Sequence, residues 1–205
     1  MQVRGGAGAG IVFALTEMLK GDYDVVGLVE NDVLLLPDWL DCLALFDRGA
    51  ADGLVVGAVS ARCFEDRILF QRSGYAVCHN LGAGMVLLTR AAARLVLAHF
   101  RTGWTTDNRR IFSCLAGIDI GTFWAFRTNE HFTTADWWWD ATLAAHGYAS
   151  LALTPSPVEM IGQDPPLAEQ GLKLVKDPLP EVSLLDLESY RNKLALIRDR
   201  NFSVG

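Results

Sequence analysis

A chain of 205 residues, 51% hydrophobic and 20% charged, is long enough for one domain, or one with a short appendage, but not for two full catalytic domains. At this length folding buries roughly 70% of the unfolded surface, and the composition excludes disordered and collagen-like chains. The 18 basic residues against 24 acidic ones leave a net charge of −6, the wrong sign for a general nucleic-acid binder, so any handling of phosphate has to be local. Charges or glycines interrupt every apolar run before the ~18 residues that a membrane helix needs. Cys42, Cys63, Cys78 and Cys114 lack CxxC spacing and are accompanied by only four histidines, which argues against a structural zinc site. They are expected to be reduced, mostly buried thiols of a cytoplasmic protein. Met1–Val3 runs straight into Arg4 and a glycine cluster, with no signal-peptide pattern and no room for a full opening strand.

Ile11, Leu15 and Met18 or Leu19 recur at helical spacing and predict a helix over 11–19, stopped at Gly21. Asp24–Val29 is a valine-rich run bounded by acids, as expected of a strand buried on both faces. A turn of leucines leads to Pro37, which opens a helix through about Ala50 with Trp39, Leu43 and Phe46 on one face. Leu54–Val59 is a further strand, and Ile68–Gln71 with Tyr75–Cys78 forms a pair around Ser73 and Gly74. A strand over Gly84–Leu88 and an alanine-rich helix over Arg90–Phe100 follow. Ile118–Phe126 is apolar and aromatic, Thr133–Ala145 is a helix ended by Gly147, and Ala149–Leu153 is the last strand of the body. Six of the seven prolines lie between Pro155 and Pro180, which places a boundary near Gly162 between a body over 1–162 and a tail over 163–205. Within the tail, Leu184, Leu187, Leu194 and Ile197 make one amphipathic stretch, able to pack on the body or on a partner. This order of elements predicts an α/β sandwich with a mixed sheet.

Two acids at i and i+2 of an extended segment point to one side and can share a divalent ion. Chance alone gives about three such pairs at this composition, and the chain has three: Asp22 with Asp24, Glu30 with Asp32, and Asp186 with Glu188. Context separates them, because only Glu30 and Asp32 follow a buried apolar strand, at the carboxyl end where open α/β sheets bind ligands. Without that role the two acids would simply cap a strand and face solvent. The glycines between Gly5 and Gly10 could present amides to a phosphate at a helix start, or serve only as a flexible entry to the helix. They lack the lysine and hydroxyl of a Walker loop and the preceding strand of a Rossmann fingerprint.

The block VVGLVENDVLLLPDWL resembles the DxD region of GT-A glycosyltransferases, particularly the family 2 type, with glutamate as its first acid. RGGAGAGIVFALTEML is similar to the glycine-containing loop and helix before the DxD strand. NLGAGMVLLTR resembles the strand that precedes the intermediate helix, and TADWWWDATLAAHGYASLALTPSPV the segment whose acid opens a helix that leads into the last strand. The resemblance covers about residues 4–162 in the right order. It implies a GT-A-like fold, N-terminally short, because the family's first strand and base-gripping loop should precede Arg4. It further implies transfer of a sugar from a nucleotide-diphosphate donor to a carbohydrate or glycan-precursor hydroxyl, inverting and metal-dependent. Glu30 and Asp32 would then hold Mg2+ or Mn2+, Gly6, Gly8 and Asn31 would touch the donor, and Asp136 would be the general base. Thr133 and Asp136 also fit a capping box. Asp140, one turn on, is expected behind the site or at the surface, and Glu130 and His131 in a loop. Trp137, Trp138 and Trp139 point about 100° apart on a helix, so at least one should reach a cleft or interface and could stack on an acceptor sugar. The family commonly has a histidine after the last strand, where this chain has Val158–Ile161 and Glu159 as the nearest substitute. Without a base-binding strand, the rival reading is a non-catalytic carbohydrate-binding or assembly module of the same fold.

Overall fold

The computed structural model describes residues 7–82, 84–102, 108–116, 135–161, 173–178 and 187–200. Among these, six strands form one sheet: β1 (Val25–Val29), β3 (Val56–Ser60), β4 (Ile68–Arg72), β5 (Tyr75–Cys78), β6 (Met85–Thr89) and β7 (Ala149–Leu153). Their order is β1-β6-β3-β7-β5-β4, and β3 with β7 is the only parallel pairing in it. A second ladder joins β2 (Val33–Leu35) to β8 (Val158–Met160) in antiparallel register, with Leu34 opposite Glu159. The helices are α1 (Ala7–Met18), α2 (Ala44–Ala51), α3 (Arg90–Thr102), α4 (Asn108–Ala116), α5 (Ala135–Ala145) and α6 (Leu187–Arg200). The chain is thus an α/β protein with a mixed sheet. No helix among the described residues is long and apolar enough to cross a membrane.

Strand alternation divides the core. Val59, Val77, Leu87 and Leu151 pack with Leu45 of α2, Ile111 and Phe112 of α4, and Tyr190, Leu194 and Ile197 of α6. Ala58, Ala76, Val86 and Leu88 belong to the other cluster, with Leu15 of α1 and Val96 of α3. Helix α5 serves both, sending Ala141 and Ala144 to the first and Trp139 and Leu143 to the second. A helix apolar on all sides is one that ends up enclosed. The amphipathic stretch of the tail therefore spends its buried side chains on the body. Gly49 lets α2 approach the sheet closely, since a Cβ there would meet Val56 Cγ2 at 2.3 Å and Leu151 Cδ1 at 2.8 Å. Gly147, at φ 81°, ends α5 and turns the chain into β7.

Several elements differ from their sequence-based expectation. Strand β1 is not buried on both faces: only Val26 is buried, while Gly27 and Val29 are exposed. It stands at the end of the sheet, and among the described residues only β6 pairs with it. The leucines before Pro37 are strand β2, because β8 supplies a partner that a local pattern does not reveal. Pro37 does open a helix, but as a 3-10 turn over Pro37–Leu43 that passes into α2. The four cysteines are free, with Cys42, Cys63 and Cys78 buried. Burial pushes the Cys42 thiol up to about 12, which leaves it inert as a nucleophile. Ile118–Phe126, Thr133 and Leu184 lie outside the described residues.

Where α3 meets the end of α5, the His99 and His146 rings stand edge to face, with centroids 5.2 Å apart. Burial, and then the His146 charge, lowers the His99 pKa from its ordinary 6.5. A lowered histidine pKa means that the unfolded chain takes up the proton first, so stability falls as pH drops below about 6.5 and levels off below the folded value. Thermal melts at pH 7.5 and 5.5 should show a larger loss of Tm for the wild type than for His99→Gln. Equal losses would remove His99 from the acid response.

Candidate active site at the carboxyl edge of the sheet

Antiparallel pairing of β1 with β6 and of β6 with β3, and parallel pairing of β3 with β7, make β1, β3 and β7 run the same way. Their carboxyl ends share one edge: Glu30–Asp32 after β1, Ala61–Arg62 after β3, and Thr154–Ser156 after β7. Because β6 runs oppositely, the Gly82–Gly84 approach to it reaches the same edge. Such an edge gathers strand ends that differ in sequence position yet face one crevice.

The Glu30–Asp32 turn is held by backbone on both sides. Glu30 N–H donates to Gly84 O at 2.8 Å, and Ile161 N–H donates to Asp32 O at 2.8 Å. Glu30 and Asn31 are exposed, while Asp32 is half-buried with its Oδ1 shielded from solvent. Val33 N–H closes a turn onto Glu30 O at 3.3 Å, so the two acids flank a turn and not the extended segment whose alternation would set them on one side. Carboxylate oxygens are hard donors of the kind Mg2+ or Mn2+ takes together with water and phosphate oxygens. Among the described residues, no three of His, Cys, Asp and Glu gather closely enough to hold a metal by themselves. Glu159 in particular faces elsewhere, into a cavity of about 730 Å³ lined also by Asp38, Asp41, Arg48 and Lys176.

Helix α5 leads through Gly147 into β7 and packs on it. Asp136 is the second residue of this helix. Its side chain, and those of Trp137 and Trp138, lie outside the described residues, as do Gly6, Glu130 and His131. Gly8 sits in the first turn of α1, among the helix-opening residues. Trp139 is fully buried, with its Nε1 donating to Asp140 Oδ2 at 3.1 Å.

Asp140 is a core residue, not a surface acid. It is 2% exposed, and its carboxylate also accepts from Asn80 Nδ2 at 3.2 Å, Leu81 N–H at 2.9 Å and Ser150 Oγ at 2.7 Å. It thereby fixes α5 to the loop before Gly82 and to β7. Sequence reasoning also missed Arg62 and Arg67, which are buried although arginines usually face solvent. Their guanidinium groups lie 4.9 and 4.7 Å from the Phe64 ring centroid, and Arg67 Nη1 donates to Asn80 Oδ1. The local pattern ARCFEDR carries no signal that separates these cations from exposed ones.

No family model matches the chain, and neither a curated protein nor a solved structure matches it.

The role of Asp140 gives a stability prediction. Asp140→Ala leaves several buried donors without an acceptor, at about 1–3 kcal/mol each before relaxation. Urea denaturation should show a total loss of about 3 kcal/mol or more. A loss below about 1 kcal/mol would mean that water or a rearrangement satisfies them.

Proposed function

We propose that the chain is a GT-A-like, family 2-type glycosyltransferase domain that moves a sugar from a nucleotide-diphosphate donor to an acceptor hydroxyl with inversion. The observation that carries this reading is the Glu30–Asp32 turn, held by Gly84 and Ile161 at the edge where β1, β3 and β7 end. The resemblance in sequence order supports it independently. Asp32 and Glu30 are the residues to hold Mg2+ or Mn2+ and, through it, the donor diphosphate. That ion, when bound, supplies Lewis-acid stabilisation of the negative charge on the leaving diphosphate, worth several kcal/mol. Asn31 and the amides near Gly6 and Gly8 are the candidates to steady the donor from the sides.

In this reading Asp136 accepts the proton of the acceptor hydroxyl as its oxygen attacks the anomeric carbon. The bond from that carbon to the diphosphate oxygen breaks on the opposite face, which inverts the configuration. A base so placed contributes roughly 10²–10⁴-fold to the rate. Its place at the start of a helix stabilises the carboxylate between turnovers, since the amino end of a helix favours negative charge.

Calorimetric titration of a UDP- or GDP-sugar with Mn2+ should show at least about tenfold weaker binding to Asp32→Ala than to the wild type, a change of about 1.4 kcal/mol. Equal binding would end the metal assignment. Asp136→Asn should lower transfer by about a hundredfold or more while leaving donor affinity within about twofold. A non-catalytic carbohydrate-binding module would instead bind glycan with no turnover in any form.

A further inference from the structure

Arg62 lies beside a residue of each segment that holds the Glu30–Asp32 turn: Gly84 on one side and the Met160 side chain on the other. Its guanidinium fills the space beside Gly84: a Cβ built there would meet Arg62 Nη1 at 2.2 Å and Cζ at 2.5 Å. Gly84 is the residue whose carbonyl accepts from Glu30 N–H. On the other side, Arg62 Nη1 lies 3.8 Å from Met160 Sδ, and the residue after Met160 donates its N–H to Asp32 O. One planar group thus packs against Gly84, which anchors the turn, and against Met160, which precedes its second anchor.

The base of the side chain is equally constrained. Arg62 N–H donates to Ser60 Oγ at 2.9 Å, and the next amide, Cys63 N–H, donates to Ser156 Oγ at 2.7 Å. Phe64 supports the guanidinium through a cation–π contact of 4.9 Å. With 6% of its surface exposed, the group has little freedom to reorient. A guanidinium is a rigid fork, whereas lysine offers one mobile point of charge, so the shape of this support is specific to arginine.

We infer that Arg62 is a positioning residue for the Glu30–Asp32 turn, acting through Gly84 on one anchor and Met160 on the other. The effect on the turn follows from the geometry alone, and its consequence for metal and donor binding rests on the proposed glycosyltransferase reading. Arg67 is the natural control. It is buried to a similar degree and stacks on the same Phe64, yet it bonds to Asn80 and through it connects to Asp140.

Amide hydrogen exchange on the full chain measures the effect directly. In Arg62→Met the amides of Glu30 and Ile161 should exchange at least tenfold faster relative to the Leu151 amide in β7. In Arg67→Met that ratio should stay within twofold of wild type, and Arg62→Lys should recover only part of the protection. Gly84→Ala displaces the guanidinium while keeping the arginine, and should speed the same two amides, which covers the case in which Arg62→Met fails to fold. Unchanged exchange of Glu30 and Ile161 in the folded variants, or an equal rise in Arg67→Met, overturns the inference. A paramagnetic-resonance titration with Mn2+ alone adds the functional readout: about tenfold weaker binding in Arg62→Met than in Arg67→Met. Absence of Mn2+ binding by the wild type would count against the glycosyltransferase reading, while the exchange data would still decide the role of Arg62.

Discussion

A carboxylate enclosed at the centre of a protein has to be met by donors, and meeting them determines what surrounds it. Asp140 shows this. Its two oxygens accept hydrogen bonds from an indole, a hydroxyl, an amide side chain and a backbone N–H. These donors belong to α5 itself, to β7 and to the loop that leads to β6. Asp140 thus joins three separate segments of the chain. The Arg67–Asn80 contact extends the arrangement, so that a buried cation and a buried anion are linked through a neutral amide. Such networks favour one geometry because every member is short of alternatives.

Around this polar centre the apolar packing is conventional, with two clusters on opposite faces of the sheet and α5 shared between them. The shared helix makes the edge geometry stiff. Its first turn cannot tilt without disturbing Trp139 and Leu143 on one side and Ala141 and Ala144 on the other. The Glu30–Asp32 turn lies at the end strand, where only one neighbour pairs, and depends instead on backbone bonds to Gly84 and Ile161.

Much of the element order was legible in the chain. The hairpin around Ser73 and Gly74 was marked by its turn residues, and α3 and α5 by their apolar spacing and, for α5, by Gly147. The acidic turn stood out because it follows the valine run of β1. What remained illegible depended on long-range pairing. Strand β2 exists because β8, more than 120 positions later, completes it. Local composition cannot distinguish a half-covered end strand from a central one, so β1 looked more buried than it is. Charge left Asp140 open between a place behind the site and the surface and gave no sign of Arg62 and Arg67, since the partners that allow a lone acid or arginine to be buried are distant in sequence.

Gly84 and Arg62 also bear on how this chain can change. The guanidinium occupies the volume that any side chain at 84 would take, and a Cβ at Gly82 would likewise meet Arg62 Nη2 at 2.2 Å. Positions 62 and 84 are therefore not independent: a larger residue at 84 displaces the guanidinium unless the residue at 62 shrinks, whereas Gly82, at φ 72° and with Arg67 Nη1 also 2.7 Å from a Cβ there, resists substitution whatever stands at 62. In a mutational library positions 62 and 84 should covary, with single changes costly and compensated pairs recovered, while 82 stays glycine. A short glycine loop that resembles a simple hinge is, in terms of sequence freedom, the complement of a distant arginine.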